Sequence, residues 1–392
     1  MKRFLFCLLA MALFWSCHPR SEGPKRIIKN GVEVVDNGAG VFPAPEGPRS
    51  LSLREEFRID LEDEALAAAG LTDIATIDAD SKGRVYLFRR GMGQGPVVFQ
   101  FDDRGRFLKS LCTIGQGPGE VEFPQFLRIS AVDEVRVLSQ GATRLVYYDP
   151  QGRFLRQSRV SHDVQLVPNK IKALANGNYI AQYLLPDKDM NLAKVPLGLF
   201  DSEFHKSTDI RDIKIPDSIK PGFKLLAYYP IVGVSAMAFF VNWGPEGREI
   251  AVFDLDGRMK RLIRAEFPSL PVPSGFKKAI LDQIPLNLGK DIRDLFQTLE
   301  TFPPFQSFFT DDNGRLFVAG FEKDPVSGAN ICDVFSPDGV RLMRNGLGFQ
   351  DLLRDLWEMG SRDVVLKNNR CYCVREKPSG FKEVVVYSMI WF

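Results

Sequence analysis

The chain has 392 residues, 45% apolar and 26% charged, a length that supports one large domain or two and a composition that excludes wholesale disorder, collagen-like repeats and a small disulfide scaffold. Lys2 and Arg3 supply the formal charge of +2; from Cys17 onward 49 basic residues balance 49 acidic ones, and without a basic excess nucleic acid is not an expected partner. His18, His162 and His205 are the only histidines, which leaves little material for a histidine-rich metal site or a nucleophile–base pair.

Met1-Lys2-Arg3 forms a short positive region, and residues 4–14 follow as an unbroken apolar run of eleven. A bilayer-crossing helix needs about 20 such residues, so residues 1–16 read as a signal peptide. Ser16 directly before Cys17 resembles a bacterial lipobox, in which the cysteine is diacylated and becomes the mature N-terminus. Phe14 and Trp15 are bulkier than the residues usual there. Two acyl chains hold a protein at a membrane without a spanning helix. Cys17 is therefore the expected lipidation site, and the bacterial cell envelope, on the periplasmic side or at the cell surface, the expected location. Secretion with cleavage near Ser16 is the alternative. Cys112, Cys332, Cys371 and Cys373 lack the spacing of a disulfide framework and are expected as buried free thiols. Residues 17–49 are rich in Gly and Pro and read as a tether. It is interrupted by two β-branched runs around Asn30-Gly31, a hairpin signal because a type I′ turn needs φ > 0 at both central residues.

From residue 50 to the end, an apolar run ending in an aspartate and a glycine turn recurs. Its copies turn at Asp102 and Gly105, at Asp149 and Gly152, at Asp201 in a worn form, at Asp254 and Gly257, and at Ser336 and Gly339. Val384-Val385-Val386-Tyr387 is a truncated sixth. The turn advances in steps of 47, 52, 53 and 82 residues. A second strand–glycine turn–strand motif precedes several copies, clearest around Gly83 and Gly314 and again at Gly177. The unit is two hairpins in tandem, close to the ~40–50 residues of a propeller blade. The expected fold is all-β, a six-bladed β-propeller of four-stranded antiparallel blades over residues 50–392. The long step marks a short helical insertion between blades four and five, residues 269–302, with apolar spacing at Phe276, Ile280 and Ile284 and at Ile292, Leu295, Phe296 and Leu299. The sixth unit holds three strand candidates, so residues 51–61 are expected to supply its fourth and close the ring. An open β-sandwich or solenoid is the competing architecture.

With Gly141-Ala142-Thr143-Arg144-Leu145-Val146-Tyr147-Tyr148-Asp149 followed by Gly152, the chain resembles the NHL-repeat class of six-bladed β-propellers. More narrowly, it is similar to exported bacterial lipoproteins of that fold. The loop Ile114-Gly115-Gln116-Gly117-Pro118-Gly119-Glu120, the segment Phe302-Pro303-Pro304-Phe305 entering Asp311-Asp312-Asn313-Gly314, and the C-terminal Val384-Val385-Val386-Tyr387 carry the likeness. The resemblance implies the fold; it does not decide an activity.

The glycines of the 115–120 loop have the composition of an anion cradle, but no P-loop lysine follows and Pro118 removes a donor. A tight connection capped by Glu120 is the plainer reading. Asp78-Ala79-Asp80-Ser81-Lys82-Gly83 begins like a calcium loop and then puts Lys82 where an oxygen ligand is needed. No Cys-x-x-Cys or Gly-x-Ser-x-Gly occurs. No catalytic residue, metal site or cofactor is therefore assigned, although a propeller's central mouth can gather acids from successive blades. Aromatic residues outside clear strands cluster at Phe302, Phe305, Phe308 and Phe309 and at Tyr228 and Tyr229, a placement that suits recognition as well as packing.

The expected function is a non-enzymatic platform binding an envelope protein, peptide or glycan. Its candidate contacts are Gln116, Gly117, Gly119, Glu120, Phe302 and Phe305, and its membrane partner is met through an N-terminal lipid. A lyase or hydrolase working at the central mouth is the alternative, and a purely structural envelope component a third reading.

Overall fold

The computed structural model describes residues 23–89, 94–130, 132–139, 144–159, 168–183, 185–186, 192–194, 196–212, 230–244, 247–283, 300–347 and 364–392. Signal residues 1–16, Cys17, His18, His162, Tyr228, Tyr229, the Gly141–Thr143 part of the repeat and the second insert helix expected at 292–299 lie outside them.

Six four-stranded antiparallel blades form the body. Blade 1 is Thr76–Ala79, Val85–Phe88, Val98–Phe101 and Phe107–Ser110; blade 2 is Phe126–Ile129, Val135–Ser139, Arg144–Tyr148 and Phe154–Arg159. Blade 3 is Pro168–Ala173, Tyr179–Tyr183, Leu197–Phe200 and Lys206–Arg211; blade 4 is Val232–Val234, Ala238–Trp243, Glu249–Asp254 and Met259–Arg264. Blade 5 is Ser307–Thr310, Leu316–Lys323, Asn330–Phe335 and Arg341–Leu347. Blade 6 takes Val365–Lys367, Arg370–Glu376 and Lys382–Trp391 from the C-terminus and its outer strand, Leu51–Asp60, from the other end of the propeller. That strand runs antiparallel to Lys382–Trp391 from Leu51 opposite Trp391 to Asp60 opposite Glu383. The ring closes as the three-strand count in the last repeat predicts.

Alternation explains why the blades pack. Successive side chains of a strand point to opposite faces of its sheet, and each blade has a neighbour on both faces. The middle strands are therefore apolar almost without interruption. Phe317 and Ala319 enter the core shared by blades 5 and 6, while Leu316 and Val318 enter the one shared by blades 4 and 5. Each of the six blade interfaces has such an apolar cluster.

The repeated turn is built by its aspartate. Asp149 Oδ1 accepts from the Gln151 and Arg153 amides at 2.9 and 2.8 Å, and Oδ2 from Arg153 Nε at 2.6 Å. Asp80, Asp102 and Asp311 repeat this with Arg84, Arg106 and Arg315. In the worn third copy, His205 stands in the arginine's place, with Nδ1 3.1 Å from Asp201. Phe204 there takes the glycine's left-handed conformation at φ 66° and stacks on Phe200.

Glycine serves a second purpose in the outer turns. A Cβ at Gly105, which has φ +81°, would lie 2.5 Å from the Phe57 ring of the preceding blade's outer strand. Gly152 sits likewise on Leu111, Gly257 on Leu199 and Ile210, and Gly339 on Ile263. These four outer turns are thus seated on the blade before them.

Three features differ from the sequence reading. Residues 25–36 do form the hairpin, with Asn30 at φ 51° and Gly31 at φ 79°, but it does not hang in a tether. Val32–Asp36 pairs in parallel with Met259–Arg264, so the hairpin adds a fifth and a sixth strand to blade 4. Burial of Val34 and Val35 and the Glu33–Arg261 ion pair at 2.6 Å hold it there. A turn motif reports local pairing and says nothing about what the hairpin's other edge meets. A short helix not anticipated, Glu64–Ala68, is N-capped by Asp63 and buries Leu66 against the blade 6–1 core. Phe308 and Phe309, read as lying outside strands, belong to the inner strand of blade 5.

Two outcomes follow. Gly105→Ala should cost about 1–3 kcal/mol more in chemical denaturation than Gly177→Ala, whose φ of +92° is as demanding but whose Cβ would meet only Ser202, at an ordinary contact distance of 3.9 Å. Asp102, Asp149 and Asp254 are held below the usual carboxylate range: partial burial opposes this, and the turn amides with Arg106, Arg153 or Lys260 outweigh it. Groups whose folded pKa is depressed stabilise above the unfolded value, about 3.9. That contribution is lost as pH falls through the folded value. Denaturation midpoints measured from pH 6 to pH 2 should fall below about pH 4, and less steeply in Asp149→Asn.

Candidate functional site

The residues expected to bind fall in two places that the ring keeps apart. The 115–120 loop connects blades 1 and 2, and Phe302 and Phe305 lie between blades 4 and 5. A single ligand-sized site does not include both.

In the first place, the loop closes on itself. Thr113–Ile114 pairs in parallel with Glu120–Val121. The Glu120 carboxylate folds back to accept from the Gly117 amide at 2.8 Å, and a Cβ at Gly115 would fall on that carboxylate. The cradle suggested by the glycines thus holds the loop's own anion, as the capping reading anticipates. Gly119, at φ +77°, packs against Phe154, and Tyr148 donates to its carbonyl at 2.6 Å. Gln116 is exposed and bonds Glu122 at 2.5 Å.

In the second, the insert leaves and rejoins the ring through a β-stem. The Val272 amide bonds the Glu300 carbonyl and the Phe302 amide the Leu270 carbonyl, both at 2.9 Å. Ser274–Gln283 is its described helix. Phe302 stacks on Phe321 at 4.3 Å between centroids, and Phe276 meets it edge-on at 5.0 Å. Phe305 is 1% exposed, packed against Phe267 and Phe308, and presents no surface. Beside Phe302 and Phe321 a cleft runs down to Asp333, with Glu322 and Arg344 at its edge. Its enclosed volume, about 10 Å³, suits one water molecule and no more.

Asp333 and Arg341, which the sequence reading does not single out, are the most buried charged pair of this region. Arg341 Nε lies 3.2 Å from Asp333 Oδ1, near enough to attract though not aligned as a hydrogen bond. Its Nη2 donates to the Glu266 carbonyl at 2.9 Å, and the guanidinium lies 5.3 and 5.8 Å from the Phe267 and Phe335 ring centroids. Burial pushes Asp333 above the usual carboxylate range and Arg341 below its usual value, each against its partner's attraction. A signal is present in the repeat. Aligned on the turn, blade 2 carries Val146 and Phe154 where blade 5 carries Asp333 and Arg341. Two charges replacing apolar residues in one blade mark a pair.

The central channel collects a third group. Asp78 on the inner strand of blade 1 accepts from the Ile129 amide of blade 2 and from its own neighbour Ala79, both at 2.8 Å. Burial raises its pKa despite Lys367 and Arg128 nearby. Lys367 of blade 6 donates to the Ala79 carbonyl and Asn368 to the Asp80 carbonyl, each at 2.8 Å. Ser81 reaches Asp133 of blade 2 at 2.5 Å. These acids stitch inner turns together. The carboxylates of the calcium-like segment are bound in the same way, Asp80 to its turn and Asp78 across to blade 2.

All four described cysteines are free and buried. Burial pushes Cys112 up to about 12. Cys371 is raised by its neighbour Cys373 and by burial.

No family model matches the chain and no curated protein does. Among solved structures, a Bacteroides fragilis protein described as exported is similar at 12% identity, with 92% of this chain and 99% of that one covered and a TM-score of 0.48. Virginiamycin B lyase from Staphylococcus aureus aligns at 10% identity over 87% of this chain and 100% of its own, TM-score 0.42. A gluconolactonase from Xanthomonas campestris aligns at 13% identity over 93% and 100%, TM-score 0.37.

The buried pair yields a prediction. Arg341→Met alone leaves Asp333 without its partner and should cost about 3–5 kcal/mol. The double variant Asp333→Val/Arg341→Phe, which installs the blade 2 residues, should recover most of that loss. A double-mutant cycle in urea built from Asp333→Val, Arg341→Phe and their combination checks the pairing; additive losses would contradict it.

Proposed function

We propose that this chain is an exported propeller, lipid-anchored through Cys17, that serves as a non-enzymatic binding platform in the bacterial cell envelope for a protein, peptide or glycan. The observation that carries this reading is the use made of the acids. The aspartates of the repeated turns and of the channel are bonded to amides, arginines and neighbouring blades, so these carboxylates serve the fold. What the blade 4–5 junction offers instead is contact surface: the stacked Phe302 and Phe321, half-buried, beside the Glu322–Arg344 ion pair. Aromatic side chains at such a rim suit recognition. The N-terminal positive region, the apolar run and Ser16-Cys17 support export and acylation.

A second reading, a lyase or hydrolase at the central mouth, draws on Asp78, whose raised pKa beside Lys367 and Arg128 is a feature that catalytic sites share.

Crosslinking in intact cells separates the two. Phe302→Ala should lose the crosslinked partner while the protein keeps its melting temperature to within a few degrees, and Asp78→Asn should leave capture unchanged. Retention of the partner by Phe302→Ala would count against the platform at this junction. The intact mass of membrane-extracted protein should show a chain beginning at Cys17 with added acyl mass, lost in Cys17→Ser.

A further inference from the structure

We infer that the strand Lys25–Lys29 docks on an anionic lipid surface, so that the propeller meets the membrane by the rim of blades 4 and 5. The inference rests on the acylation of Cys17 proposed above for its geometry, and on the exposed chemistry of the strand for its ligand.

Three observations carry it. The first is position. The hairpin is fixed to the outer strand of blade 4 by the parallel pairing of Glu33–Asp36 with Arg261–Arg264. At its N-terminal end it touches blade 5, where Arg26 Nη2 lies 3.4 Å from the Asp338 carbonyl and Arg261 bonds the Pro337 carbonyl at 2.7 Å. The second is reach. Residues 18–24 separate Cys17 from Lys25, and a chain of that length spans at most about 29 Å in any conformation. An acyl anchor at Cys17 therefore keeps this rim near the bilayer, with blades 1 and 2 on the far side of the ring.

The third is chemistry. All five residues of Lys25–Lys29 are exposed, Ile27 at 46% and Ile28 at 72%. Arg26 is shared with Glu33, whereas no ion pair is found for Lys25 or Lys29 among the described residues. Lys25, Ile27 and Lys29 share one face of the strand and Arg26 and Ile28 the other, and on each face an exposed isoleucine beside cationic side chains suits the boundary between anionic headgroups and acyl chains. Each basic residue near such a surface contributes attraction that salt weakens. An edge strand also needs protection from pairing with another chain, and a lipid surface would cover it.

The test uses the full acylated protein in vesicles of phosphatidylglycerol and phosphatidylcholine carrying a headgroup quencher. A fluorophore is placed by Ile28→Cys in one sample and by Leu108→Cys, on the outer strand of blade 1, in the other; the four described native thiols are buried. We expect quenching at position 28 at least threefold that at position 108, reduced by Lys25→Glu/Lys29→Glu and by added salt. Acyl mass present with equal quenching at both positions would overturn the docking and leave the anchor standing. Should the acyl mass be absent, the anchor reading fails by itself. Docking then stands if the unacylated chain sediments with phosphatidylglycerol vesicles and not with phosphatidylcholine alone, and falls if it sediments with neither. A concentration-dependent dimer, with the label at 28 shielded in the absence of lipid, would assign the edge to a second copy and overturn the inference.

Discussion

A ring of wedges is stable only if its last interface is made, and here that interface depends on one antiparallel pairing, Leu51–Asp60 against Lys382–Trp391. The other five blades take their four ring strands from contiguous sequence, and the N-terminal hairpin only extends blade 4 outward. Without the borrowed strand, Val384 and Val386 would lose the cover of Ile59 in the blade 6–1 core, and the outer turn at Gly105 would lose its seat on Phe57. Closure also leaves few sheet edges for pairing with other chains. The edge added by the N-terminal hairpin is exposed and charged.

The outer turns convert this closure into a cooperative structure. Each aspartate organises its own loop, and each glycine lets that loop approach the preceding blade. The repeat in the sequence therefore records an inter-blade contact as well as a turn. The worn third copy shows the limits of substitution: His205 replaces the arginine while keeping the contact with Asp201, and Phe204 accepts a left-handed backbone in exchange for stacking against Phe200 and Tyr179.

Much of the architecture was legible because it is periodic. The Asp–Gly spacing gives blade count, strand order and the missing fourth strand of blade 6, and the long step between Asp254 and Ser336 gives the insert. Aperiodic features were harder to read. The docking of Val32–Asp36 on blade 4 depends on a partner more than 220 residues away, which no local pattern encodes. Of the candidate contacts, Phe302 lies at a rim and Phe305 in a core, because Pro303 and Pro304 turn the chain from surface to interior. Glu120 was read both as part of a binding loop and as its cap, and its carboxylate fills the cradle. The Asp333–Arg341 pair was visible only as two departures from the repeat in one blade, and each departure alone resembles an ordinary surface charge.

The strand Leu51–Asp60 is an integral part of one cooperative ring. Native-state amide hydrogen exchange tests it most directly. Amides of Leu51–Asp60 paired with Lys382–Trp391 should exchange as slowly as those in the middle strands of blades 1 to 5, and denaturant should release all of them together. Fast exchange across Leu51–Asp60, with the other blades still protected, would contradict the account.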